Sequence, residues 1–436
     1  MRKANLNQNP FLSARQQQDF VRRCHSGYAK AQMRIIEMIK EVRADKALAD
    51  EEREHKELAL RNIADGIAVL LLQTKSHFIR RFILHDEPQF TPDATLDEAA
   101  KAAERLNNES RMTFALVADL TTFIHVCDIL RFDVRNKKLS LIELKTGRVN
   151  QMLLGALERY SPEPSSMNLL ESDETIDPKH LKQAKRMLRQ KIRVQQVEQM
   201  FTSDDGIDIS LEMPLKLVKE MAELDFYDEF LNDLCNQARS ESAAAGLVDQ
   251  CLHLGVGFAA EKEQARATAK CALRRGIALS RNEPPDGLPQ VDAETWALVP
   301  ARDRFIAVES VSGNLRAMSN RPIVTWAISR ENLLSGLQGE LAIFIAFDVS
   351  GFIHMGRRLG LEMGLSSEKA ASQTAQSLGS SNVPTWGRRC LKMSFGAGKE
   401  ILLLTGMLSR FIHDLASPKS MLKFDLAQGW EGIARP

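Results

Sequence analysis

The chain has 436 residues, of which 44% are hydrophobic and 26% charged, and its formal net charge is +1. That length exceeds what one ordinary hydrophobic core serves, so we expect two or three domains. The balanced charge argues only against a chain that binds nucleic acid through its overall charge, and it leaves room for a local basic patch. The six cysteines are scattered without a C-x-x-C pair, which disfavours a zinc ribbon and favours a reducing compartment.

The apolar segments of the chain predict its location. Residues 1–20 lack the apolar core of a signal peptide. The longest apolar runs, such as those at 67–72 and 341–347, are too short to span a bilayer. We therefore expect a cytoplasmic protein that makes no contact with a membrane.

Helical periodicity dominates residues 12–84, where a strongly charged run lies between two apolar stripes. This pattern predicts a long helical hairpin or a bundle. The functional alternative is an arm that contacts a protein partner or a second copy of the chain. Pro88 and Pro92 end the helical pattern, so we assign residues 1–94 to a helical N-terminal region.

Three strand-like segments follow, at 112–118, 124–134 and 138–144. The turn around Asn136 lies between two apolar runs, as the turn of a β-hairpin does. We therefore expect the three segments to form one antiparallel meander.

Three charged side chains meet at the open end of this hairpin: Asp128, Glu143 and Lys145. The turn allows two registers, which place Asp128 opposite either Glu143 or Lys145. Because strand side chains alternate between faces, the three share one face in both registers. We expect a helix to cover that face, whose apolar residues include Leu130 and Leu141.

The two carboxylates of Asp128 and Glu143 would repel each other in a partly buried place. A bound cation is the simplest group that offsets this repulsion, and Lys145 would supply part of the compensation. The alternative is a plain surface hairpin, in which these charges form an ion pair worth at most ~1 kcal/mol.

Asp128, the preceding "ADLTTFIHVC" and the later "LSLIELK" together resemble the PD-(D/E)XK nuclease superfamily, which has the restriction-endonuclease-like fold. In that superfamily the site consists of an Asp on one strand and a Glu or Asp two residues before a Lys on the next. The D-L-T element is similar to a variant found in bacterial proteins, although Cys127 stands where a residue such as Gly usually precedes the Asp. The resemblance covers residues 110–150 well and extends loosely to about 258.

This resemblance implies a metal-dependent nuclease that hydrolyses phosphodiester bonds, with DNA as the expected substrate. Asp128 and Glu143 would hold Mg²⁺ or Mn²⁺, and the backbone carbonyl of Leu144 is a candidate third ligand. The metal would lower the pKa of a bound water and polarise the phosphate. Lys145 would orient that water or stabilise charge that develops on the phosphate.

Further charged side chains are candidates for such a site. Many family members add a glutamate from an early helix, and Glu104 and Glu109 are both available here. A long basic helix places Lys182, Arg186 and Arg189 within one broad stripe, which could follow a phosphate backbone. A solvated basic face is the alternative for that stripe.

A second motif lies in "CLHLGVGFAAEKEQ", where Gly255, Gly257 and Ala260 follow an apparent strand and precede a helix. Their spacing has the form of a dinucleotide-binding fingerprint. Since no clear βαβ unit surrounds the segment, we rank a nucleotide-binding protein below the nuclease. The structural alternative is a plain strand-to-helix turn.

The chain divides further at residues 280–294, a segment rich in proline and charge. We assign residues 95–279 to a nuclease-like α/β core and residues 295–436 to a mixed α/β C-terminal region of unknown role. The predicted fold class is therefore mixed α/β with a restriction-endonuclease-like core. The main alternative to an enzyme is a non-catalytic interaction protein built on the same fold.

Overall fold

The computed structural model divides the chain into two compact units, Met1–Leu217 and Val218–Pro436. The residues that it describes are 14–72, 82, 91–136, 138–144, 148–161, 163, 165–173, 175–203, 205–207, 214–216, 224–281, 297–299, 305–309, 326–378, 383–386, 388–395, 399–403 and 405–428.

The first unit is helical at its start and continues with a small sheet and further helices. Its elements in chain order are α1 (Ala14–Ala44), α2 (Asp50–Leu71), α3 (Asp93–Glu109), β1 (Thr113–Val117), a short 3-10 helix (Ala118–Leu120), β2 (Ile129–Asp133), β3 (Lys138–Ile142), α4 (Arg148–Leu157), α5 (Ser166–Glu171), α6 (Pro178–Ser203), β4 (Asp205–Ile207) and β5 (Pro214–Lys216).

Strands β1, β2 and β3 form an antiparallel sheet in that order, which confirms the predicted meander. Ile129 lies opposite Ile142, and Leu130 lies opposite Leu141. This is the first of the two registers that the turn allowed, and the ladder ends at the pair of Ile129 and Ile142, directly beside Asp128 and Glu143. The second strand begins at Ile129, later than the predicted start at residue 124, and residues 121–128 lie outside the ladder.

The helices α1, α2 and α3 cover one face of this sheet. Ala115, Val117 and Ile129 share a buried cluster with residues of these helices, among them Ile39 and Leu96. We expected the helix on the opposite face, that of Leu130 and Leu141. Both of those residues are also buried, so the sheet is buried on its two faces, and α6 contacts β3.

The boundaries of the units differ from the predicted ones. The described helices within residues 1–94 do not form a separate region, because they bury apolar residues in one cluster with those of the sheet. The predicted core of 95–279 is divided after Leu217. Its last part joins the second unit, since β7 (Leu252–Phe258) pairs with a strand that lies beyond the predicted linker. Most of that linker, residues 282–294, lies outside the described residues.

The second unit contains a larger antiparallel sheet of the order β6-β7-β10-β9-β8 and a smaller one of the order β11-β12-β13. The remaining elements in chain order are α7 (Asp228–Glu241), β6 (Ala243–Val248), α8 (Lys262–Arg281), β8 (Ala297–Val299), β9 (Phe305–Glu309), α9 (Arg330–Gln338), β10 (Leu341–Asp348), α10 (Val349–Arg358), β11 (Glu362–Leu365), α11 (Glu368–Leu378), β12 (Leu391–Phe395), β13 (Lys399–Leu402), α12 (Thr405–Ile412) and α13 (Pro418–Gln428). Both units combine helices with strands, so the fold class is mixed α/β.

The glycines of the fingerprint-like motif have a packing role in this unit. Gly255 and Gly257 lie inside β7 rather than in the turn after it. A Cβ on Gly257 would stand 2.3 Å from the carbonyl oxygen of Ala265, and one on Gly255 would stand 2.5 Å from that of Ala269. The missing side chains therefore let α8 rest directly on the strand. The neighbours of β7 are both antiparallel to it, so the arrangement is not the βαβ unit of a dinucleotide site.

None of the described helices in either unit is both long enough and apolar enough to cross a bilayer.

Candidate functional site

Asp128 and Glu143 both lie at the same end of the β2–β3 ladder. Asp128 directly precedes β2 and Glu143 directly follows β3, and both side chains are half-buried. The backbone N–H of Asp128 donates to the carbonyl oxygen of Ile142 at 3.0 Å. Its carboxylate accepts a hydrogen bond from the N–H of Leu144. Asp128 is thus tied to the chain on both sides of Glu143. Lys145 lies outside the described residues.

The surroundings of the buried Cys127 thiol show that several negative charges act at this end of the sheet. Burial raises the pKa of Cys127 well above its ordinary value. The charges of Glu143 and Asp128 raise this pKa further, as do those of Asp119 and Glu198. Four carboxylates from separate parts of the first unit therefore act electrostatically on the residue that precedes Asp128.

Asp119 belongs to the short 3-10 helix that follows β1, in the D-L-T element. Helix α2 holds this segment in place. The guanidinium of Arg61, which is only 1% exposed, donates to the carbonyl oxygen of Asp119. Arg61 also donates twice to Glu57, at 3.0 and 2.9 Å. Glu57 in turn accepts two hydrogen bonds from Arg43 of α1, so its buried carboxylate is paired with two guanidinium groups.

Asp65, one turn further along α2, fixes the next part of the same segment. Its carboxylate accepts hydrogen bonds from the backbone N–H and the hydroxyl of Thr122, both at 2.7 Å. Burial raises the pKa of Asp65 from 3.8 to about 7, against the opposing effects of Thr122 and of the Arg61 charge. The segment that leads from β1 towards Asp128 is therefore anchored at two successive points.

Glu198 reaches the sheet from α6. Its carboxylate accepts a hydrogen bond of 2.7 Å from the backbone N–H of Leu141 on β3. Among the described strands β3 pairs only with β2, so Glu198 occupies part of the outer edge of the sheet. This contact lies two residues before Glu143.

The donor set of the candidate site consists of hard oxygen ligands. Within the described residues, no group of three or more His, Cys, Asp or Glu side chains is close enough together to hold a metal ion. Asp128 and Glu143 would thus supply two carboxylates, and water would fill the other positions. Mg²⁺ and Mn²⁺ suit such a site, since Mg²⁺ commonly binds through one or two carboxylates and keeps several waters. The residues present fit such an ion and do not fit a structural zinc site.

The other predicted acids, Glu104 and Glu109, lie away from this cluster of charges. Both are exposed on α3, and neither is among the charges that act on Cys127. The acids whose charges act on Cys127 together with those of Asp128 and Glu143 are Asp119 and Glu198 instead.

Lys182, Arg186 and Arg189 are all exposed on α6. None of them forms an ion pair with any residue of the described part of the chain. At about 3.6 residues per turn, they lie on the side of the helix roughly opposite to Glu198. The predicted basic stripe thus exists as an open surface, but it does not point towards the edge of β3.

Sequence reasoning missed the two additional acids for different reasons. Asp119 belongs to the D-L-T element that carried part of the family resemblance, so a local signal was present. Glu198 lies 55 residues beyond Glu143 in a helix that is mainly basic and polar, and nothing local marks it. Only the contact between α6 and the sheet brings it to the site.

Comparison of the chain with protein-family models, with curated proteins and with solved structures gives no match in any of the three. A function for this chain is therefore inferred from its own residues and their geometry.

Proposed function

We propose that the protein is a metal-dependent nuclease that hydrolyses phosphodiester bonds of DNA at Asp128 and Glu143. The observation that carries this proposal is the hairpin register, which brings the two carboxylates to the same end of β2 and β3. The sequence around them is the part that resembles the PD-(D/E)XK superfamily. We retain the restriction-endonuclease-like core and a cytoplasmic location as parts of the same proposal.

Each residue has a distinct part in the proposed reaction. Asp128 and Glu143 would hold the divalent cation, Mg²⁺ or Mn²⁺. When bound, that cation lowers the pKa of water and neutralises charge on the phosphate. Asp128 is oriented for this role by the N–H of Leu144, which donates to its carboxylate. Lys145 would orient the attacking water or stabilise charge on the phosphate, as the family resemblance implies.

The exposed stripe of Lys182, Arg186 and Arg189 would bind the phosphate backbone away from the site. Cationic side chains that form no ion pair with the described residues are suited to this, because their contacts with phosphates release counterions from the nucleic acid. Such contacts position a duplex and carry no sequence preference.

A non-catalytic interaction protein on the same fold is the second candidate. It is favoured by one observation, the absence of a third acid or histidine close to Asp128 and Glu143 in the described part of the chain. The N-terminal helices or the basic stripe would then bind a protein partner, a second copy of the chain or a nucleic acid without cleaving it.

Cleavage of plasmid DNA separates the two candidates. We expect the wild type to cut in Mg²⁺ or Mn²⁺ and to stop in EDTA, and we expect Asp128→Asn to be inactive. Asp128→Asn keeps an oxygen that can accept the Leu144 hydrogen bond, so an inactive variant would reflect the missing charge rather than a disrupted fold. Equal cutting by the two proteins would reject a nuclease site at Asp128.

A further inference from the structure

The outer edge of β3 is held by a side chain instead of by another described strand. The N–H of Leu141 donates to Glu198 of α6, so this peptide group faces away from β2. Peptide groups alternate in direction along a strand. The N–H of Leu144, which is three positions further, accordingly faces inwards and donates to Asp128. The end of β3 and the residues just after it thus donate backbone hydrogen bonds to a carboxylate on each side, Glu198 and Asp128.

Leu141 and Glu143 are closely linked in position. Residues two apart in a strand project from the same face and lie about 7 Å apart along it. A displacement of the backbone at Leu141 therefore moves the Glu143 carboxylate by a similar amount. Glu143 has no strand pairing of its own in the described ladder, which ends at Ile142. The contact with Glu198 is a fixed point of β3 on its outer side, two residues before Glu143.

Glu198 is itself firmly placed. Its neighbours on α6, Val197 and Phe201, are 0% and 6% exposed, so the helix is anchored on both sides of it. Glu198 is half-buried, and a hydrogen bond from a backbone N–H to a carboxylate is among the stronger kinds in proteins.

We propose that Glu198 is a positioning residue for Glu143, because its carboxylate fixes the backbone of β3 at Leu141 and thereby sets the place of the Glu143 carboxylate. This inference rests on the proposed nuclease function. Glu198 would act through the strand, without touching the metal or the substrate.

The choice of substitution distinguishes this role from that of a metal ligand. Glu198→Gln keeps an oxygen that can accept the Leu141 hydrogen bond, but it removes the charge that a cation needs. Glu198→Ala removes both. If Glu198 positions Glu143, the Glu198→Gln variant should keep its activity. If Glu198 is a metal ligand, the Glu198→Gln and Glu198→Ala variants should both lose activity. Gln199→Ala serves as the matched control, because Gln199 is an exposed neighbour on the same helix.

The experiment uses the full-length chain and three measurements on the wild type and the three variants. Cleavage of a DNA duplex in Mg²⁺ gives kcat and KM, calorimetric titration with MnCl₂ gives metal affinity, and hydrogen exchange reports the N–H of Leu141. For Glu198→Ala we expect kcat to fall at least ~10-fold with KM within about twofold, since a misplaced group affects the transition state more than substrate binding. We expect Leu141 to exchange faster in this variant. Glu198→Gln and Gln199→Ala should stay within about threefold of the wild type in all three measurements.

Two outcomes would overturn this inference and leave the proposed function standing. In the first, Glu198→Ala has the kcat and the Leu141 exchange rate of the wild type. In the second, Glu198→Gln loses both cleavage and Mn²⁺ affinity. The second outcome would make Glu198 a metal ligand. A wild-type protein that neither binds Mn²⁺ nor cleaves DNA would instead reject the proposed function, and this inference with it.

Discussion

Replacement of Asp65 by Asn tests the buried anchor of the D-L-T segment. Burial raises the pKa of Asp65 from 3.8 to about 7, so the folded protein binds more protons than the unfolded chain between these pH values. The free energy of unfolding should therefore fall as the pH rises from about 4 to above 7. A pKa difference changes the free energy of unfolding by ~1.4 kcal/mol for each pH unit. Ionised Asp65 therefore lowers the free energy of unfolding of the Met1–Leu217 unit by up to about 4 kcal/mol at pH 8.

Asp65→Asn removes this titration while it preserves the local contacts. The amide oxygen can accept from the N–H of Thr122, and the amide nitrogen can donate to the hydroxyl of Thr122. We therefore expect the variant to exceed the wild type in stability at pH 8, and the difference to shrink steadily as the pH falls towards 4. The difference between the two proteins, plotted against pH, isolates Asp65 from every other titrating group.

The assay must separate the two units. All four tryptophans lie between Trp296 and Trp430, so their fluorescence in urea follows the second unit and provides an internal control. Hydrogen exchange of peptides from residues 113–144 at increasing urea concentration follows the first unit. Identical pH profiles for the two proteins in that segment, or a variant that is less stable at pH 8, would refute the reasoning.

The remaining predictions concern packing and nucleic-acid binding. Gly257→Ala should destabilise the second unit by about 3 kcal/mol in urea unfolding, because its Cβ would collide with the backbone of α8. Gly155→Ala on α4, where a Cβ meets nothing within 4 Å, should instead stabilise the first unit by about 0.5–1 kcal/mol; equal effects at both sites would contradict this packing. Simultaneous replacement of Lys182, Arg186 and Arg189 by Ala should weaken DNA binding at low salt. The slope of log K against log salt should become shallower by about one for each phosphate that the variant no longer neutralises. An unchanged slope in a fluorescence titration would show that the stripe does not bind the phosphate backbone.

The local part of the fold could be predicted from the sequence. Alternating apolar residues and the turn at Asn136 predicted the hairpin, and one of the two allowed registers is the observed one. The turn alone could not choose between the registers. The pattern of buried residues could not choose either, because the two registers differ by two residues and leave every side chain on the same face.

The long-range contacts could not be inferred from local pattern. The glycines of β7 had the spacing of a nucleotide fingerprint, yet their lack of side chains serves contact with α8. The division of the chain was misplaced for a similar reason, because the pairing of β7 with β10 spans the segment that composition marks as a linker. Asp128 and Glu143 were identified because they are neighbours across a hairpin, whereas Glu198 depends on the packing of a distant helix.

The central claim is that Asp128 and Glu143 hold one divalent cation. Anomalous diffraction from crystals soaked in MnCl₂ tests it most directly, because it locates the metal without any need for activity or for a partner. We expect a Mn²⁺ peak within coordinating distance, about 2.2 Å, of a carboxylate oxygen from each residue. We expect no such peak in crystals of Asp128→Asn. A wild-type crystal soaked in the same way that has no peak between these two side chains, or has its only peak elsewhere, would contradict the claim.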